Sequence, residues 1–137
     1  MKKRMFIRGC IALGLAAIPA YAQGGGVEAR IPFQFSVNGK TLPAGEYKLT
    51  ANANLIQIED AQGKPVARAR ADYASGRTVG ATGEIIFHCY RDVCLLAEIW
   101  SPVKGDSRKL STTQTEARLA KEDTGKYFAV IGKQRQR

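Results

Sequence analysis

Four side chains between positions 88 and 98 could do chemistry: His88, Cys89, Cys94 and Glu98. His88 is the only histidine, so a nucleophilic triad with an imidazole base would rest on it alone. It sits in the middle of a strand-like run, EIIFHCY, where a packing or surface role is the plainer expectation. Metal binding by His88 with the two cysteines is disfavoured, because neighbours along a strand point to opposite faces and a closed zinc site takes four ligands. The cysteines are spaced C-x4-C across a turn, unlike the C-x-x-C of a helix-borne redox pair. Glu98 is expected on the apolar face of Phe87 and Trp100. Glycoside hydrolysis needs two facing acids, and no partner for Glu98 is identifiable. An ion pair with Arg68 or Arg70 is its expected fate, since charges are seldom buried unpaired. No glycine-rich stretch has P-loop or dinucleotide spacing. No catalytic residue, cofactor or metal is therefore expected.

The elements that must position these residues are two β-rich runs, EIIFHCY and VCLLAEIW, joined at Arg91-Asp92. With those two residues as the loop, Tyr90 pairs with Val93 and Cys89 faces Cys94. Tyr90 and Val93 are then the hydrogen-bonded pair next to the turn, and Cys89 and Cys94 a non-hydrogen-bonded pair, whose side chains come close enough for a cross-strand disulfide. Arg-Asp is a poor type I′ sequence, so a four-residue loop with the same cysteine pairing stays open. On simple alternation, one face carries Ile85, Phe87, Leu96 and Trp100. The other carries Ile86, Tyr90, Val93, Leu95, Ala97 and Ile99. A pair of strands apolar on both sides is expected to be covered on both.

Whether the cysteines can oxidise depends on the compartment, and the N-terminus supplies it. Lys2, Lys3, Arg4 and Arg8 precede a short apolar run from Cys10 to Ala17, broken by Pro19. Ala20 and Ala22 then occupy the −3 and −1 positions of a cleavage site, leaving Gln23 as the new terminus. These are the three parts of a secretory signal, and the apolar run is too short to span a bilayer. Residues 1–22 are thus read as a cleaved signal, 23–26 as a flexible leader, 27–132 as one domain and 133–137 as a basic disordered tail. Export removes Cys10 and leaves an even pair in an oxidising space.

Cleavage leaves 115 of the 137 residues, the size of one domain with a modest core. It also removes four of 21 basic residues, so 17 remain against 12 acids and the net charge falls from +9 to +5. These charges are scattered, whereas a nucleic-acid binder concentrates them with interleaved aromatics. No nucleic-acid partner and no membrane span of the mature chain are expected.

Along the domain the pattern is β. Apolar residues at every second position from Val27 to Val37 read as one half-buried strand, with Pro32 marking a sheet edge. Asn38-Gly39 and Leu42-Pro43-Ala44-Gly45 are turn signals. Further strands follow at Tyr47 to Ala51, at Leu55 to Glu59, and from Pro65 to Tyr73, where Ala67, Ala69, Ala71 and Tyr73 share a face. Residues 75–83 read as a loop. Thr113 with Glu116 three residues on is a capping box for a short helix, which Gly125 can end. KYFAVIG gives a last strand.

Three blocks in order, IPFQFSVNGKTLPAGEYKL, FHCYRDVCLLAEIW and KLSTTQTEARLAK, resemble a family of small exported proteins of unknown function, numerous in Acidobacteria. The resemblance covers most of residues 27–121 and implies export and a β-rich domain. It carries over no activity and no site. The chain departs from the pattern at Cys89 and Cys94, where the family has a basic and an aromatic residue. Phe33, Phe35, Leu42, Pro43, Gly45, Tyr47, Ile99 and Trp100 match it and look structural.

The expected fold is a compact antiparallel β-sandwich or partly open barrel of about seven strands with one short helix. The expected function is a non-catalytic binding or structural module, periplasmic or secreted, whose partner is an unidentified envelope protein or glycan. Two alternatives are a barrel enclosing an apolar small molecule and a hydrolase built on Glu98. The first would line its cavity with Phe33, Phe35, Tyr47, Phe87 and Trp100.

Overall fold

The turn chemistry of the sequence sets the strand ends. In the computed structural model, which describes residues 26–133, ten strands form one mixed, largely antiparallel open sheet with one short helix near the C-terminus. They are β1 (Val27–Ile31), β2 (Phe35–Val37), β3 (Lys40–Leu42), β4 (Gly45–Asn52), β5 (Leu55–Glu59), β6 (Pro65–Tyr73), β7 (Glu84–Tyr90), β8 (Val93–Trp100), β9 (Arg108–Leu110) and β10 (Lys126–Ile131). Helix α1 (Gln114–Glu122) lies between β9 and β10. Ala20, Ala22 and Gln23, with the rest of the export signal, fall outside the described residues.

The excess over seven strands has local causes. The single strand expected from Val27 to Val37 breaks at Pro32, whose missing N–H cannot serve a central ladder. Its first half, β1, pairs with β4, while β2 pairs with β3 and makes one parallel bridge to β8, Ser36 with Leu95. Asn38 and Gly39 both take positive φ, 49° and 81°, as a type I′ turn requires, and this creates the β2–β3 hairpin. The third extra strand, β9, joins β6 to β8.

The strand order is β1-β4-β5-β6-β9-β8-β2-β3, with β7 on the other edge of β8 and β10 beyond it. One face collects the core, including Val27, Ile31, Leu49, Ile56, Ile58, Ile85 and Phe87. The alanines of β6 serve close packing as expected, with Ala69 and Ala71 buried. Tyr73 does not share that burial. It is 63% exposed and lies under the Arg108 guanidinium, 3.9 Å from the ring centre. Arg108 itself is buried and donates to the main-chain oxygens of Ala53, Gly105 and Ser107.

The β7–β8 hairpin has the expected turn, with Tyr90 opposite Val93 and Cys89 opposite Cys94. Arg91 takes the left-handed conformation, φ 57°, and the two cysteines are joined as a disulfide with Cα atoms 4.0 Å apart. Alternation fails further up. Phe87 pairs with Leu96 but Ile86 pairs with Glu98, so Ala97 is an extra residue, a β-bulge. The bulge reverses the phase of everything after it. Ile99 therefore turns into the core with Ile85 and Phe87, and Trp100 leaves that face.

Candidate functional site

Helix α1 begins as its sequence dictates: Thr113 is the N-cap, and its hydroxyl accepts the Glu116 N–H at 3.2 Å. The helix ends at Asp123, two residues before Gly125. None of its residues is buried, and only Glu116 and Leu119 are even half-buried. So little apolar contact cannot by itself hold a nine-residue helix, which is too short to be stable alone.

A polar tether supplies the attachment. Glu116 Oε2 accepts from His88 Nδ1 at 2.8 Å and from the Tyr90 hydroxyl at 2.8 Å. Instead of reaching back to the main chain at Thr113, as a full capping box would, the carboxylate reaches across to β7. His88 is stacked on Tyr127, its cross-strand neighbour on β10, with ring centres 4.2 Å apart and planes 13° from parallel. Because a carboxylate only accepts, Nδ1 carries the proton and, in the neutral ring, Nε2 keeps its lone pair. Nε2 is buried and makes no hydrogen bond in the described structure. Burial, followed by the Glu116 hydrogen bond and charge, pushes the Tyr90 phenol up to about 12. The chain turning into β10 presses on the same ring: a Cβ at Gly125 would lie 2.5 Å from Tyr90 Cε2.

Two clefts have Glu116 in their lining. The larger, about 470 Å³, lies between the β2–β3 turn, β8 and α1. Val93, Leu95, Leu96 and Leu110 give it an apolar floor, and Ser36, Asn38, Thr113 and Thr115 a polar rim. The smaller, about 170 Å³, is lined by His88, Glu98 and Lys109. Leu96, Leu110, Ser111 and Glu116 line both.

The residues singled out in the sequence are dispersed by comparison. Phe35, Phe87 and Tyr47 are buried core, with Phe35 edge-on to both others at 5.3 and 5.4 Å. Phe33 packs at 5.0 Å on Phe87, half-exposed at the margin of the core. These rings fill the space between them. Trp100 is buried on the opposite face, where its indole N–H donates to Glu98 Oε1 at 2.7 Å. Glu98 is thus held by Trp100 and stands beside Lys109 on β9; Arg68 and Arg70 lie on β6 and are not its partners. The bulge at Ala97 is the cause, since it moves Glu98 and Trp100 together off the Phe87 face.

The chain was compared with family models, curated proteins and solved structures. It matches none of them. The site thus rests on its own geometry. Sequence reasoning identified His88 and Glu116 separately, the second only as a capping residue, and gave Tyr90 no role beyond packing. Their convergence had one faint signal. An acid in the first turn of a helix with few apolar residues needs an attachment to the sheet, and a lone strand histidine is a suitable donor.

Proposed function

We propose that this chain is an exported, non-catalytic binding module of the cell envelope or extracellular space, taking its ligand in the cleft beside helix α1. The observation that carries the reading is the cleft's make-up: about 470 Å³, with an apolar floor and hydroxyl and amide groups at the rim. That volume falls within the usual range for small-ligand sites, and the mixture of apolar area with a few polar anchors is what such sites use. The non-catalytic part is supported by commitments already made. His88 Nδ1 is given to Glu116, Nε2 is sealed from solvent, and one oxygen of the Glu98 carboxylate is held by Trp100.

Export by a signal cleaved after Ala22 remains part of this proposal, as does kinship with the Acidobacterial family. We also propose that the sheet curls into a partly open barrel. Supporting this, the Lys133 N–H donates to Glu28 O of β1 at 2.7 Å, and its ammonium meets Glu46 of β4 at 2.8 Å. Lys133, expected in a disordered tail, is therefore tied to the first strands. The enclosed apolar ligand gains no support from rings that touch one another.

The test uses the processed, oxidised protein, residues 23–137, labelled for NMR and titrated with fractionated envelope extract and a glycan panel. Shift changes should gather at Ser36, Leu95 and Thr113. Binding confined to other surfaces, or no binding to any fraction, would overturn the reading.

A further inference from the structure

We infer that the first turn of helix α1 is a latch, held down by the Glu116 carboxylate, and that releasing it joins the two clefts into one groove. The inference rests on reading the larger cleft as the binding site, and it concerns how that site opens. Three observations converge on it. First, the helix has no buried residue, so it is not welded to the sheet by apolar packing. Second, its attachment is concentrated in one side chain, which is 14% exposed and gripped twice at a single oxygen by groups from β7. Third, Glu116 lines both clefts along with Leu96, Leu110 and Ser111, so it stands at the boundary between them.

The floor under that boundary is also a gap in the sheet. On the edge of β8 away from β7, β2 pairs only at Leu95 and β9 pairs only at Glu98 and Ile99. Leu96 and Ala97 have no strand partner on that side among the described residues. With the carboxylate swung away, a ligand would meet this stretch of β8 together with the His88 ring. The arrangement has the properties expected of a gating element: a locally weak segment of low apolar contact, fastened by one hydrogen-bonded group above a more stable sheet.

Amide hydrogen exchange on the processed, oxidised protein tests the latch without any ligand. In Glu116→Ala, the amides of Ala117 to Asp123 should exchange about tenfold faster or more, as expected for loss of charge-assisted hydrogen bonds. Those of Ile85 to Phe87 should keep their protection. Tyr90→Phe keeps the acid in the first turn and removes one grip, so it should accelerate the same helix amides by a smaller factor. Unchanged helix exchange in Glu116→Ala, an equal acceleration in β7, or a Tyr90→Phe helix indistinguishable from wild type would each overturn the inference. The readout needs no ligand, so a cleft that binds nothing and a helix that is not latched are separate results.

Discussion

Gly125→Ala measures how tightly the helix exit is packed on the site. The new Cβ would stand 2.5 Å from Tyr90 Cε2, 3.0 Å from Cζ and 3.1 Å from Cδ2. Ordinary carbon contact begins near 3.4 Å, so ring or chain must give by roughly 0.9 Å. The ring cannot swing freely, because it is 7% exposed and its hydroxyl is fixed to Glu116 at 2.8 Å. A shift of that size takes the hydroxyl out of hydrogen-bonding range. Overpacking costs about 1–3 kcal/mol and the charge-assisted bond about 1.5–3 kcal/mol, so we expect a loss of about 2.5–6 kcal/mol. Gly125 is not among the positive-φ glycines, so alanine is allowed by the backbone. Without the clash it would stabilise by about 0.4–1 kcal/mol through the unfolded chain. The sign should therefore reverse in a Tyr90→Leu background. Urea unfolding of the four proteins of the double-mutant cycle measures both numbers. A neutral or stabilising Gly125→Ala in the wild-type background would refute the packing argument.

Tyr90 should titrate late, with its phenolate absorbance rising toward about pH 12 instead of near 10. Its folded pKa is raised, so the stabilisation from the neutral phenol is complete below about pH 10 and is lost as pH climbs through about 12. Glu116→Gln should lower that value only partly, because burial is the larger cause. Opening the Cys89–Cys94 link by Cys94→Ser should cost about 2 kcal/mol, the low end for disulfides, because the closed loop is short. Equal urea midpoints for the oxidised and serine forms would count against it. Arg108→Ala strips donors from Ala53 O, Gly105 O and Ser107 O, and should cost about 3 kcal/mol. A change below about 1 kcal/mol in thermal or urea unfolding would show that water replaces those bonds readily. Intact mass of the exported protein should correspond to a chain starting at Gln23 and lacking two hydrogens. A retained signal would remove the compartment on which the disulfide depends.

What the sequence determined by itself is local. Alternation placed most of the strand segments, Asn38-Gly39 specified a turn through two positive φ angles, and Thr113 with Glu116 marked the helix start. Arg91-Asp92 set the register that brings Cys89 to Cys94. Each of these depends on residues within a few positions of one another, where backbone sterics and side-chain caps act directly. The tertiary structure decided the rest. A bulge adds one residue without changing composition, so nothing near Ala97 announced that Glu98 and Trp100 would turn away from Phe87. Pro32 was visible, but whether it marks an edge or a break depends on which strands lie on either side. The meeting of His88 and Tyr90 with Glu116 spans 28 and 26 residues. It follows from the path of the chain out of β9, which brings the first turn of α1 within reach of β7, and no local periodicity encodes that path.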